Sequence, residues 1–312
     1  MKLDDVGPLS LGCAALGNLY AAVDDDDVQG CVDTAWDRGV RLFDTAPLYG
    51  HGLSESRLGA ALRARPRDDY LLATKVGRLL VPVDHPTAEP PVIEPPSIFA
   101  DIPALRPVFD FSAEGVLRSV DASLQRLGLD RIDLLHVHDP DDHLEEAVSG
   151  AYGALLRLRD QGVVQAIGLG TNHASVAAHV VERVDLDWLL LAGRCTLLDQ
   201  SGPAEVFGRC VDRGVRVLAA GVFNSGVLAA PGPGARYDYA PAPPVVLERV
   251  ADIAAVCARH GVPLTAAALQ LPLRHQAVTS VLVGARSAAE IAEDDELLRF
   301  PIADALWEEL QL

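Results

Sequence analysis

The chain is poor in several features that mark whole classes of function. Its five cysteines (Cys13, Cys31, Cys195, Cys210, Cys257) are odd in number, widely scattered and free of any Cys-x-x-Cys pair. That excludes a disulfide framework and zinc-finger spacing, and leads us to expect reduced thiols in a cytoplasm. Positive charge is scarce, with 26 Lys and Arg against 44 Asp and Glu and a net charge of −18. Without basic clusters, neither nucleic acid nor an anionic membrane is an expected partner. No stretch approaches the ~18 uninterrupted apolar residues of a spanning helix, and the N-terminal segment has one lysine and no apolar core, so a soluble, unexported protein is expected. No Gly-x-Gly-x-x-Gly follows the first strand, which argues against a Rossmann sheet, and no internal repeat points to a solenoid.

What is present is a regular alternation. Apolar runs suited to buried strands occur at 9–13, 40–44, 70–75, 132–138, 164–169, 187–191, 215–220 and 280–283, with helical patterns between them at 24–38, 55–64 (with Ser54 as N-cap), 113–127, 144–160, 174 onward, 202–213, 245–259, 263–274 and 287–297. Eight right-handed strand–helix crossovers make a closed (β/α)8 TIM barrel the economical fold, within one domain of 312 residues. Residues 79–112, which hold eight of the 21 prolines, break the rhythm. They read as a long ordered insertion after the Lys75 strand, a candidate lid over the strand ends. Nearly half the residues are hydrophobic, enough for a sizeable core, and Trp36, Trp188 and Trp307 fall at core positions.

Barrel enzymes keep their chemistry at the C-terminal strand ends. There the chain sets Asp44 and, one short turn later, Tyr49; Lys75 and His138 close the next two strands. Singly, each has an ordinary structural explanation: a turn-forming Asp, a packed Tyr, a solvated Lys. Together they form a proton-handling group. The ammonium would lower the phenol's pKa, Asp44 would hold the lysine charged, and His138 would orient a substrate oxygen. Such a group supplies no electrons, so redox chemistry requires a hydride-carrying cofactor. His136 and His138 on one strand face also fit a metallohydrolase pair, but the strands at 164–169, 187–191 and 215–220 carry no further histidine. We therefore expect no metal and read His136 as a packed interior residue.

The run Phe43-Asp44-Thr45-Ala46-Pro47-Leu48-Tyr49-Gly50, with Ser54-Glu55 and Leu58-Gly59 behind it, resembles the signature of the aldo-keto reductases. The likeness continues through Ala73–Gly77, Asp133–His138, Gly168–Asn172 and Val283–Ser287. It implies a barrel binding a nicotinamide dinucleotide, with Tyr49 as acid/base, Asp44 and Lys75 tuning it, and His138 placing the substrate. It further implies cofactor contacts from Gly12, Cys13, Asn172, Gly221, Val222, Phe223, Asn224, Gly226, Gly284, Arg286, Glu290 and Asp294. Val108–Ser112, Leu190–Leu198 and Gly221–Gly226 are similar to the aldose dehydrogenase branch, which oxidises the anomeric carbon of L-fucose, L-galactose or D-arabinose-type sugars to a lactone. The alternative within the family is an aldehyde or pyridoxal reductase or dehydrogenase; outside it stand a cofactor-binding regulatory subunit and the metallohydrolase.

NADP-using members place a basic residue where Glu290 stands here. A carboxylate at that position would repel a 2′-phosphate and accept a hydrogen bond from a ribose hydroxyl, whereas Arg286 could still grip a phosphate. The balance favours NAD over NADP. The sequence sets no oligomeric state.

Overall fold

The computed structural model describes residues 1–84 and 98–312. Eight parallel strands close into a barrel: β1 (Leu9–Gly12), β2 (Leu42–Asp44), β3 (Leu71–Val76), β4 (Leu134–His138), β5 (Ala166–Thr171), β6 (Trp188–Ala192), β7 (Arg216–Ala220) and β8 (Val278–Gly284), with β8 paired to β1. Each strand expected from the sequence is present to within two residues at either end. The strands are apolar on both faces because both are covered. Leu72, Leu135, Ile167, Leu189, Val217 and Val281 point outward into the helical layer. Leu42, Leu71, Leu134, Trp188, Leu218 and Leu282 fill the interior, and Met1, Leu3 and Val6 pack against them.

The interior also holds His136, fully buried and paired in register with Gly168. A Cβ on Gly168 would lie 2.5 Å from His136 Nδ1 and 2.6 Å from the Trp188 carbonyl, so the large ring is accommodated by a missing side chain opposite it. Burial, then the charge of Lys75, holds the His136 imidazole down at about 3. It is a neutral interior group, as the sequence suggested.

Several helices differ in detail. Helix 113–127 starts under the Ser112 hydroxyl, which accepts from Gly115 N–H, and ends at Gly128 in the left-handed region. The stretches 144–160 and 202–213 each contain a π-helical turn, at Ala147–Ala151 and Pro203–Phe207. Ser54 is not an N-cap. The helix Leu53–Leu62 begins at Gly52, and the Ser54 hydroxyl instead donates to the Cys13 carbonyl at 2.7 Å and lies 2.9 Å from Thr45 Oγ1. A C-terminal helix, Asp304–Leu310, has no counterpart in the sequence reading.

The insertion after β3 is more regular than its prolines suggested. Arg78–Pro82 and Leu105–Phe109 pair as an antiparallel ribbon, and Leu19 bridges Phe99. Residues 85–97, the centre of the expected lid, lie outside the described residues. The Pro/Gly/Ala-rich connection at 229–244 likewise contains a two-residue antiparallel pair, Arg236–Tyr237 with Ala240–Pro241. Among the described residues no helix is long and apolar enough to cross a membrane.

Candidate active site

The β1 and β2 ends are tied together before any functional side chain is considered. Cys13 N–H donates to the Asp44 carbonyl at 2.8 Å, and Thr45 N–H to the Ala73 carbonyl at 2.9 Å. The tyrosine turn is then clamped by two glycines. A Cβ on Gly17 would meet the Tyr49 carbonyl carbon at 2.7 Å, and one on Gly50, at φ +61°, would meet the Gly17 oxygen at 2.4 Å. Only bare backbone allows the two loops to approach this closely. Glu55, fully buried, accepts from Thr74 Oγ1 at 2.8 Å and from Arg126 Nε at 2.6 Å, fastening the following helix to β3 and to helix 113–127.

Against this frame the four nominated side chains meet. Lys75 Nζ donates to Asp44 Oδ1 at 2.6 Å and to the Thr45 carbonyl at 2.9 Å, with both side chains 1% exposed. It stands 4.6 Å from the centre of the Tyr49 ring. The His138 ring is perpendicular to that of Tyr49, with centroids 5.8 Å apart. Burial alone would pull Lys75 down, but the Asp44 carboxylate reverses this and holds the amine above its ordinary value. His138 is driven well below 6.5 by burial and then by the charges of Arg78 and Lys75, so its imidazole is neutral and offers one N–H.

For Tyr49 the direction differs from the expectation. Burial raises the phenol above 10 and outweighs the lowering by Lys75, with the Asp44 carboxylate adding to the rise. The group is therefore held as a proton donor.

Beside Tyr49 and Asp44 opens a cavity of about 630 Å3. Gly12, Asn172, Gly221, Val222, Phe223, Asn224, Gly226, Gly284, Arg286, Glu290 and Asp294 all line it. Cys13 does not: its thiol is fully buried behind β1, 3.8 Å from the Leu11 carbonyl, and burial pushes it well above the usual thiol range. The turn after β7 has left-handed backbone at Gly221, Asn224, Ser225 and Gly226 and is closed by Asn224 N–H donating to the Gly221 carbonyl at 2.9 Å and Gly226 N–H to the Phe223 carbonyl at 3.0 Å. Asn224 Oδ1 is buried there without a hydrogen-bond partner. An elongated ligand that brings a hydroxyl or amide donor to Asn224 fits this wall.

At the far end, helix 288–298 is capped by the Ser287 hydroxyl, and Glu290 Oε2 accepts the Arg286 backbone N–H at 2.7 Å. The Arg286 guanidinium donates to the Leu19 carbonyl at 3.0 Å. Glu290, Glu293 and Asp294 all line the cavity here, and burial followed by the two glutamates pushes Asp294 up to about 7.

Sequence reasoning did not single out Glu293 and Tyr239 of the cavity wall, nor Arg78 and Asp139, whose ion pair stands beside His138. Tyr239 lies in the cavity wall, reached by a proline-rich connection whose path has no periodic signal. Asp139 follows His138 directly and Arg78 follows Gly77; their positions just beyond strand ends were the available signal.

The family model described as the aldo/keto reductase family matches residues 8–311. The chain is similar to D-threo-aldose 1-dehydrogenase from a Pseudomonas species, 43% identical over 97% of this chain and 92% of the relative. It is also similar to pyridoxal 4-dehydrogenase of Microbacterium luteolum, 41% identical over 98% and 93% of the two chains, and to L-galactose dehydrogenase of Arabidopsis thaliana, 31% identical over 93% and 83%. Among solved structures, an aldo-keto reductase from Bacillus halodurans in its holo form matches with a TM-score of 0.74 and 25% identity, covering 100% of this chain and 94% of that one. The family's enzymes are oxidoreductases that use nicotinamide dinucleotides. A parallel eight-stranded barrel, a buried Asp–Lys pair under a tyrosine and a match from residue 8 to residue 311 thus have one common explanation: the chain belongs to the aldo/keto reductase family.

Proposed function

We propose that the protein is an aldose 1-dehydrogenase, oxidising the anomeric carbon of a sugar of the L-fucose, L-galactose or D-arabinose type to a lactone. The observation that carries this is the 43% identity, over nearly the whole chain, to a relative named for that activity. A bound nicotinamide dinucleotide would supply the hydride acceptor. His138 donates its single N–H to the C1 oxygen and fixes the reacting carbon beside the cavity. Tyr49 takes the hydroxyl proton as hydride leaves C1, and the C1–O bond becomes the lactone carbonyl. Lys75, held cationic by Asp44, steadies the phenolate that must be present before the proton is taken.

NAD is the dinucleotide we favour. Three carboxylates, Glu290, Glu293 and Asp294, share one end of the cavity, and Asp294 is already raised toward neutrality by burial and then by its two neighbours. A 2′-phosphate would add close to two negative charges to that cluster. The Arg286 guanidinium, which could offset them, is turned to the Leu19 carbonyl.

The 41% identity to pyridoxal 4-dehydrogenase supports a second reading, in which pyridoxal is the substrate. A panel of free aldoses and pyridoxal, each with NAD and with NADP and followed by nicotinamide absorbance, separates the two. Turnover of pyridoxal and none of the sugars would overturn the aldose assignment.

A further inference from the structure

The β4 end presents a second carboxylate that the proton-handling group does not use. Asp139 stands at φ +39°, a left-handed conformation costly for a residue with a Cβ, and is held there by its N–H donating to the Gly170 carbonyl at 2.9 Å. That conformation turns its carboxylate back beside the imidazole, with Oδ2 3.4 Å from His138 Nε2. The same Oδ2 accepts from Arg78 Nη2 at 3.3 Å. The Arg78 guanidinium is packed 5.1 Å from the centre of the Phe109 ring, on the ribbon that follows β3. Both contacts fall on one oxygen, and the Asp139 side chain retains 28% of its exposure. Oδ1 is therefore available to accept from a ligand.

Resting on the aldose reading above, we propose that Asp139 is a specificity-determining residue: it accepts a hydrogen bond from the substrate hydroxyl on the carbon next to the reacting one, C2, with Arg78 aiming it. Asp139 Oδ2 is 3.4 Å from His138 Nε2, so two oxygens on adjacent substrate carbons are close enough together for one to accept from the imidazole N–H while the other donates to the carboxylate. In a cyclic hemiacetal the other neighbour of C1 is the ring oxygen, which has no proton to donate. Of the two neighbours of C1, only the C2 hydroxyl can donate to the Asp139 carboxylate. A substrate without it leaves Asp139 Oδ1 without that donor in a partly desolvated place, so the site discriminates against it. Arg78 acts through Asp139 and is a positioning residue.

The test compares L-fucose with its 2-deoxy analogue, in the full-length enzyme and in Asp139→Asn and Arg78→Lys variants, with dinucleotide binding measured in each to verify an intact cleft. The wild-type kcat/KM should favour the parent sugar by about 10- to 100-fold. In Asp139→Asn that ratio should collapse toward one, chiefly through the parent sugar, and Arg78→Lys should give an intermediate ratio. If the wild type does not discriminate, or Asp139→Asn lowers both sugars equally, the carboxylate is only structural and the proposal is overturned. Wild-type enzyme that oxidises no aldose but does turn over pyridoxal overturns the aldose reading itself, a different result from either.

Discussion

Lys75 Nζ lies 2.6 Å from Asp44 Oδ1 and 4.6 Å from the centre of the Tyr49 ring, so one buried ammonium serves a carboxylate and a phenol at once. The two substitutions that break this arrangement should have separable effects. Tyr49→Phe removes the proton carrier and leaves the ion pair intact; turnover should fall by about a thousandfold or more, with dinucleotide affinity nearly unchanged. Lys75→Met strands Asp44 as a buried, unpaired charge, and Asp44 Oδ2 already lacks a partner. That variant should lose activity and also about 3–5 kcal/mol of stability. Denaturant titration beside steady-state kinetics distinguishes the two patterns, and a fully active Tyr49→Phe would contradict the acid/base role.

The raised phenol of Tyr49 fixes the sign of the pH dependence. Sugar oxidation needs the tyrosine to accept a proton, so its deprotonated form must become populated. Because burial lifts the pKa above the ordinary value of 10, kcat for oxidation should climb throughout the alkaline range. Aldehyde reduction, which consumes the protonated form, should hold at neutral pH and decline where oxidation gains. His138, neutral far below this range, contributes no limb of its own above pH 6.5. Profiles in both directions would show this, and an oxidation rate flat from about pH 7 to about pH 10 would contradict it.

The barrel was legible because its determinants are local. Eight apolar runs each carry their own signal, and a polar residue ending a strand marks the mouth. Asp44, Tyr49, Lys75 and His138 could be named for that reason. The remainder of the site depends on paths between elements. The ribbon at Arg78–Pro82 and Leu105–Phe109 is built from residues with little alternation, so its register is set by tertiary contact and not by pattern. The family resemblance implied a cofactor contact from Cys13, yet the side-chain alternation of β1 puts Gly12 in the cavity and the thiol behind it. Ser54 looked like a helix cap because its residue type suits one; its hydroxyl is instead drawn inward by the Cys13 carbonyl. The phenol's pKa ran opposite to expectation because charge can be counted from sequence whereas burial cannot.

Asp294 gives a stability prediction with a definite sign. Its carboxyl is raised from 3.8 to about 7 by burial and by Glu290 and Glu293. The folded state therefore holds a proton that the unfolded state releases between those values, and stability falls as pH rises from about 4 to about 7. Above that window the ionised group is a standing cost. Asp294→Asn removes the titration and should stabilise the protein at pH 8 by about 1–3 kcal/mol, with little change at pH 4. Denaturant midpoints of the two proteins at both pH values would check it. A variant equally or less stable at pH 8 would mean that the Asp294 carboxylate has a favourable partner in solution.

Dinucleotide choice should turn on the same cluster. Glu290 is exposed, so its field at the cavity is screened and its effect modest, but it sits at the start of a helix with its Oε2 on the Arg286 N–H. Glu290→Lys exchanges a repelling charge for an attracting one beside the position a 2′-phosphate would take. It also takes the carboxylate away from the backbone N–H at the helix start, which frees that donor for a phosphate oxygen. The ratio of kcat/KM for NADP to that for NAD should rise by at least about tenfold, roughly 1.4 kcal/mol, and the gain should shrink in high salt. Glu290→Gln should move the ratio in the same direction by less, since it removes repulsion without adding attraction. If neither substitution moves the ratio, the carboxylates at this end of the cavity do not face the ribose, and the basis for favouring NAD fails.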